Sequence, residues 1–115
     1  MNKEEVLVAT SIDYIEYVCE QIAGTGVIRY KKMFGEYMVY VNDKPVLLVC
    51  DNTVFVKCLP CLEEQMVGAE KGNPYKGAKE HYILDIEDAT FSKEVVKVLE
   101  SVTPIPKSRK RNKIE

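Results

Sequence analysis

The sequence lacks the short motifs that identify the common classes of enzyme. It contains neither a glycine-rich phosphate-binding loop nor a nucleophile elbow. Its single histidine, His81, would have to serve as any histidine general base, but it lies beside Tyr82 in a predicted strand, as structural and surface histidines commonly do. We therefore expect a protein that is not an enzyme and that uses no cofactor.

Long apolar runs and a secretory leader are also missing. No apolar run approaches the roughly 20 residues that span a bilayer. Glu4 and Glu5 precede a short apolar run, Val6 to Ala9, which differs from the basic start and longer apolar core of a signal peptide. These features predict a cytoplasmic protein without membrane contact.

The chain has four cysteines, and cysteines in a reducing compartment are typically free thiols. Cys58 and Cys61 have the spacing of a thioredoxin-type redox pair, with a proline before the second cysteine and a predicted helix after it. Such a pair follows the first strand of a βαβ unit, whereas an antiparallel meander precedes this one. A zinc site would need Cys19, Cys50 or His81 to converge on the pair. The context favours two partly buried thiols at a strand-to-helix corner.

The stretch from Lys32 to Lys57 carries the clearest structural signal. Apolar and β-branched residues come in short runs, cut at Asn42-Asp43-Lys44 and at Asp51-Asn52, as in consecutive antiparallel strands. Helical spacing of apolar residues predicts a helix before this stretch, a second helix after Pro60, and a third that Asp88 or Ser92 opens. The predicted strands cover residues 27–33, 37–41, 46–50, 53–58 and 81–86, and the predicted helices cover 11–24, 61–70 and 88–103.

These elements predict a two-layer α+β fold, an antiparallel sheet of about five strands packed by helices in the order α-β-β-β-β-α-β-α. Residues 1–10 form a lead-in, residues 11–103 a single domain, and residues 104–115 a basic tail too charged to pack. Within the sheet, Tyr37, Val39 and Val41 alternate with Met38 and Tyr40, so both faces of this strand are apolar. We therefore expect a homodimer or partner contact there.

Charge is distributed unevenly. The net charge is -2, but five of the 16 positive charges lie in the tail, so residues 1–106 hold 11 positive against 17 negative charges. The tail, together with Arg29 to Lys32 and Tyr75 to Lys79, could follow a phosphate backbone, although an acidic body would repel a duplex elsewhere. The alternative is a solvated strand edge and a solubilising tail. The candidate nucleic-acid contacts in the tail are Lys107, Arg109, Lys110, Arg111 and Lys113.

With these elements placed, residues 11–102 resemble the N-terminal domain of the TfoX/Sxy family, regulators of natural competence in bacteria. The likeness lies in the order and spacing of five pieces: Lys32-Met33-Phe34-Gly35 followed by Tyr37 to Val41, the turn at Asn42-Asp43-Lys44, the strand end Val56-Lys57, Pro74-Tyr75 to Gly77-Ala78-Lys79, and His81-Tyr82. Glu36 stands where members usually have a small residue. The second, helical domain of the full-length regulators has no counterpart in the resemblance, so its functions are not carried over.

The resemblance implies a fold similar to that of secretion chaperones and a non-enzymatic regulatory module that acts by protein contact. The expected partner is a component of the transcription machinery or a second copy of the chain. Candidate interaction residues are Met33, Phe34, Gly35, Tyr37, Lys57, Tyr75, Lys79 and His81. Two alternatives stay open, a nucleic-acid accessory that uses its basic tail and a small thiol-redox protein that uses Cys58 and Cys61.

Overall fold

A computed structural model describes residues 10–33 and 35–106, which form one antiparallel sheet of six strands with two α-helices. The strands β1 to β6 are Ile28–Met33, Glu36–Val41, Lys44–Cys50, Thr53–Lys57, Lys71–Gly72 and His81–Ile83, and the helices are α1, Ile12–Gln21, and α2, Ala89–Val102. The predicted α+β class is confirmed. The lead-in up to residue 9 and the basic residues from 107 lie outside the described residues.

The sheet runs in the order β1-β2-β3-β4-β6-β5, so the first four strands form the predicted meander. Two-residue turns join β2 to β3 and β3 to β4. Asn42 and Asp43 have φ values of 52° and 67°, and Asp51 and Asn52 have 51° and 53°. Positive φ at both central residues matches the twist of a tight hairpin, and short polar side chains tolerate it best. Both cuts in the apolar pattern are therefore hairpin turns.

Both helices begin at the caps that the sequence indicates. The Ser11 hydroxyl accepts a hydrogen bond from the Tyr14 amide at 3.1 Å, and the Asp88 carboxylate accepts one from the Phe91 amide at 3.0 Å. The buried apolar residues of α1 and α2 join those of the sheet in one core, so both helices cover the same face. The buried apolar residues are Ile15 and Val18 on α1, Ile22 directly after it, and Val95, Val96 and Leu99 on α2.

The helical spacing of apolar residues extends to Ile12 in the first helix and to Val102 in the last, which predicts that both are buried, and this prediction is wrong. Ile12 is 57% exposed and Val102 is 50% exposed. Each lies in a terminal turn, beyond the part of its helix that the sheet covers.

The helix predicted over residues 61–70 is also wrong. The chain forms a 3₁₀ turn, Pro60–Leu62, followed by further turns as far as Gly68. Gly68 has a φ of 82°, which ends helical geometry. Leu62 and Met66 are buried, so the two apolar anchors pack into the core without a continuous helix between them.

The remaining differences concern strand ends. β5 consists of two residues, too short to leave a pattern in the sequence. β3 begins at Lys44, and Pro45 is its second residue, beside a register shift between Val39 and Tyr40.

The helices in the described part of the chain are all too short or too polar to cross a membrane.

Candidate interaction surface

Four apolar side chains form a row across the face of the sheet that the helices leave open. Residues that pair in register share a face, and Met38 pairs with Leu48, Leu48 with Phe55, and Phe55 with Ile83. We call Met38, Leu48, Phe55 and Ile83 the outer row. Phe55 is 7% exposed and the other three are half-buried. Lys31 pairs with Met38 and ends the row on the β1 side.

The opposite face of β2 belongs to the core. Tyr37, Val39 and Val41 are all buried there, and the Tyr37 ring meets the Tyr30 ring edge-to-face at a centroid distance of 5.5 Å. Tyr37 was expected to contact a partner, but only 4% of it is exposed. This expectation is corrected: Tyr37 packs under the helices, and the side chains available on the other face of β2 are Met38 and Tyr40.

A small apolar pocket, which we call the end pocket, opens where the outer row meets the end of the sheet. Its volume is about 100 Å³, well below the roughly 300–1,000 Å³ of small-molecule sites. Met38, Leu48 and Phe55 line it, and Leu99 on α2 contributes to its wall. A space of this size accepts one or two apolar side chains of a partner protein.

Two polar side chains stand at the end pocket. Lys57 pairs across the sheet with His81, and both line the pocket. The His81 ring lies edge-on to Phe55 at a centroid distance of 6.4 Å, and its Nδ1 is 2.8 Å from the Lys79 carbonyl oxygen. Because a carbonyl oxygen can only accept, Nδ1 carries the proton and Nε2 is left for a second partner. The pocket therefore combines an apolar floor with a cationic and hydrogen-bonding rim.

Three of the expected interaction residues, Lys57, Lys79 and His81, thus come together at one end of the sheet. The remaining candidates lie elsewhere. Met33 ends β1 opposite Glu36, Gly35 takes a φ of 84° in the turn that follows, and Tyr75 is 59% exposed in the loop before β6. Phe34 lies outside the described residues.

The cysteines do not form a cluster with His81. Cys58 and Cys61 are exposed free thiols, which corrects the expectation that they are partly buried. Among residues 10–33 and 35–106, no three side chains of His, Cys, Asp or Glu approach closely enough to hold a metal ion.

Cys50, in contrast, is 1% exposed. Burial, the nearby Glu36 and Asp51 carboxylates, and a hydrogen bond with Glu36 raise its pKa to about 12. Its thiol therefore stays protonated at neutral pH.

A wider groove of about 730 Å³ lies between the turns after Pro60 and the start of α2. Its wall carries the carboxylates of Glu70, Asp85, Glu87 and Asp88 and the Tyr14 ring, but no lysine, arginine, histidine or cysteine. The Asp88 carboxylate caps α2 and Asp85 accepts from the Glu87 amide, so two of these groups bond the local backbone. Burial, followed by Tyr17 and Glu87, raises the pKa of Tyr14, which keeps its hydroxyl protonated at neutral pH. Among the described residues, the wall of this groove is thus acidic and has neither a histidine nor a cysteine.

Sequence reasoning missed the outer row, although a signal for it was present. Leu47-Leu48 and Val54-Phe55-Val56 are unbroken apolar runs, and such runs indicate strands that are apolar on both faces. The pairing of Phe55 with Leu48 and Ile83 follows only from the register, which the sequence did not give.

Comparison with known proteins identifies a relative of this chain. The chain is 35% identical over 104 residues to the "Uncharacterized 12.7 kDa protein in trpE 5'region" of Spirochaeta aurantia, an alignment that covers 89% of this chain and 90% of that protein. The chain belongs to the family of this spirochaete protein. The shared region takes in nearly the whole sheet and both helices, so the family likeness concerns the entire fold. No protein-family model matches the chain.

Proposed function

We propose that this protein is a non-enzymatic interaction module, and that the outer row and the end pocket form the surface that binds a partner protein. The observation that carries the proposal is the row itself, four apolar side chains in register on the sheet face opposite both helices. Phe55 is the most buried of the four side chains and lines the end pocket. Interfaces concentrate their binding energy at such apolar pockets surrounded by a polar rim.

The rim indicates the chemistry of the partner. Lys57 is exposed at the pocket, and Lys31 ends the row. An apolar side chain flanked by carboxylates would fill the pocket and face these cations. Two copies placed face to face would instead bring lysines toward lysines, so the charge pattern favours a different protein over a second copy.

The likeness to the TfoX/Sxy N-terminal domain is part of this proposal. It is supported by the α+β class and by a tight turn at Gly35 between β1 and β2, the position of the quoted Met33-Phe34-Gly35 motif. On this proposal the chain is a transcriptional co-regulator of the competence type, and its partner is a component of the transcription machinery. Its four free cysteines fit a reducing, cytoplasmic location.

The proposal is tested by affinity purification with the tagged full chain and with two charge variants. Leu48→Glu places a carboxylate in the outer row, and Val67→Glu introduces the same side chain at a residue that is 81% exposed in the turns after Pro60, outside the end pocket. We expect the unmodified chain and Val67→Glu to recover the same transcription factor or polymerase subunit, and Leu48→Glu to recover at least tenfold less. Thermal unfolding by circular dichroism establishes that both variants are folded.

Equal recovery by Leu48→Glu and Val67→Glu would show that the outer row is not the contact surface. Recovery of metabolic enzymes alone would contradict a regulatory role. Light scattering gives the mass of the purified chain and tests whether a second copy binds the outer row. A dimer that Leu48→Glu converts to a monomer would identify a second copy as the partner at this surface.

A further inference from the structure

The edge of the sheet formed by β1 is built differently from the opposite edge. β1 pairs with β2 over six residues without a register shift, from Ile28 with Val41 to Met33 with Glu36. The other edge strand, β5, has two residues. Natural proteins protect sheet edges with short strands, proline, bulges or charged side chains, and β1 uses only the last of these, in Arg29, Lys31 and Lys32. In the described part of the chain, β1 has no partner strand on its outer side, and Ile105 and Pro106 line a groove together with Arg29, Tyr30 and Lys31.

The hydrogen bonds of Val27 show which backbone groups of β1 face outward. The Asn42 amide donates to the Val27 carbonyl at 2.8 Å, and the Val27 amide donates to Asn42 Oδ1 at 2.9 Å. The backbone amide and carbonyl of Val27 therefore both face the end of β2. Backbone groups alternate in direction along an antiparallel strand. The amides and carbonyls of Ile28, Tyr30 and Lys32 therefore point away from β2, at the spacing that an added strand requires.

The side chains of this edge carry positive charge on both faces and an aromatic ring on one. Arg29 and Lys31 pair with Tyr40 and Met38, which places them on the face of the outer row. Lys32 pairs with Tyr37 and lies with Tyr30 on the other face, where Tyr30 is 41% exposed. Arg29 is bonded to Asp43, and the ion pairs among the described residues do not include Lys31 or Lys32. The edge thus offers cationic side chains on both faces and an exposed aromatic ring between Arg29 and Lys31.

This charge pattern disfavours a second copy as the added strand. The outward backbone groups belong to alternate residues, so an antiparallel pairing of two β1 strands centres on a residue. Centring on Arg29 or on Lys31 brings that residue opposite its own counterpart, and centring on Tyr30 brings Arg29 opposite Lys31. Like charges directly opposite destabilise a strand pair.

We propose that the outer edge of β1 binds an acidic, extended segment of another protein, which joins the sheet as a further strand. Alternate carboxylates of that segment would lie beside Arg29 and Lys31, and apolar side chains between them would lie beside Tyr30. Main-chain hydrogen bonds from Ile28, Tyr30 and Lys32 would fix the register. This site does not depend on the end pocket, so it goes beyond the function proposed above.

Two fluorescein-labelled eight-residue peptides of glutamate and valine test the proposal by fluorescence anisotropy with the full chain. One alternates the two residues, and the other has the same composition in two blocks of four. Both carry the same charge, but only the alternating peptide can place every carboxylate on the Arg29 face. We expect the alternating peptide to bind at least tenfold more tightly.

Two substitutions at Lys32 separate strand addition from charge attraction. Lys32→Pro removes an outward amide without breaking the ladder to β2, and Lys32→Gln removes the same charge but keeps the amide. We expect Lys32→Pro to weaken binding of the alternating peptide about tenfold and Lys32→Gln about twofold or less. Lys31→Glu, which leaves the backbone intact, should also weaken it about tenfold. Amide spectra of each variant verify the β1–β2 ladder.

Equal binding of the two peptides would overturn the proposal, as would equal binding by Lys32→Pro and Lys32→Gln. An oligothymidine that binds more tightly than the alternating peptide and loses affinity in Lys31→Glu would identify the edge as a phosphate-binding patch instead. Amide shifts confined to the end pocket on addition of the alternating peptide would likewise contradict strand addition at β1.

Discussion

At the scale of single residues, the tightest constraint lies at Gly26, in the turn between α1 and β1. Its φ is 149°, and a Cβ added there would come within 2.7 Å of Asn42 Nδ2 and 2.8 Å of Val41 Cγ1. The Asn42 side chain cannot move freely because its Oδ1 accepts a hydrogen bond from the Val27 amide. Glycine at this position is therefore required by both the backbone conformation and the close approach of the hairpin.

Replacement of Gly26 by alanine should destabilise the protein more than the same change at Gly24. Gly24 also has a positive φ, 94°, but an added Cβ there has no neighbour within 4 Å. We expect Gly24→Ala to lower the free energy of unfolding by about 1 kcal/mol, the strain of a left-handed alanine. Gly26→Ala should lower it by about 2–4 kcal/mol, because the Asn42 hydrogen bond is disturbed as well. Urea unfolding of both variants measures the difference, and equal values would refute the close approach.

At this scale, the sequence predicts the role of a residue when its neighbours in the chain decide that role. Asp88 caps α2 by accepting from the Phe91 amide, a role that neighbouring residues decide, and it was one of the two residues predicted to open this helix. The exposure of Ile12 and the burial of Tyr37 depend on how far a helix extends over the sheet, which no local pattern specifies.

At the scale of elements, the hairpin turns hold the meander in register. Asn42 and Asp43 both have positive φ, and the Asp43 carboxylate bonds the Arg29 guanidinium on β1. The turn therefore joins the first three strands through backbone geometry and one exposed ion pair. An exposed ion pair contributes little, so the geometry should dominate.

Substitutions at Asp43 separate these two contributions. Asp43→Gly loses the ion pair but accepts the positive φ, whereas Asp43→Ala loses the ion pair and strains the turn. We expect Asp43→Ala to be less stable than Asp43→Gly by about 1 kcal/mol in thermal or urea unfolding. If the ion pair dominated instead, the two variants would be equally destabilised.

The elements also show where sequence reasoning fails. β2, β3 and β4 were predicted because each buries alternating or continuous apolar residues between tight turns. The segment after Pro60 has a helical apolar stripe, yet only Leu62 and Met66 needed burial and Gly68 interrupts the helix. The sequence pattern shows which residues of this segment are buried. The backbone conformation between them depends on where the rest of the fold places their buried side chains, which the pattern does not show.

At the scale of the whole molecule, a polar cluster joins the β2–β3 hairpin to the end of α2. The Lys44 ammonium lies 3.2 Å from the Glu100 carboxylate and 2.9 Å from the Glu100 carbonyl oxygen, and Asn42 Nδ2 donates to the same carboxylate at 3.3 Å. The two segments are 56 residues apart in the chain. The hydrogen bond from Asn42, followed by that from Lys44, lowers the pKa of Glu100.

Because the folded pKa lies below the ordinary value of 4.5, the carboxylate of Glu100 stabilises the fold above that pH, and the contribution is lost as the pH falls through the folded value. We expect Glu100→Gln to unfold at a lower urea concentration than the unmodified chain at pH 7, and the gap to narrow at pH 3. Glu94→Gln, the same change at an exposed position of α2, serves as the control and should show no such narrowing. A gap that is unchanged in acid would contradict the role of the charge.

The candidate surface was predictable from the sequence only in part. The lysines and the histidine near the end pocket were among the expected contacts, and the two-faced apolar character of β2 was recognised. The outer row and the pocket require strands that are distant in sequence, such as β3 and β6, to lie on either side of β4, and this arrangement follows from the sheet order alone.

The difference in length between β1 and β5 also limits how these molecules can associate with one another. An endless fibre of sheets joined side by side needs two borders of matching length on every subunit, because one border of each subunit pairs with the opposite border of the next. Within the described chain, this protein has a six-residue border on one side and a two-residue border on the other. Any lateral association through the long border therefore ends after a single addition, and crowding should not drive these sheets into filaments.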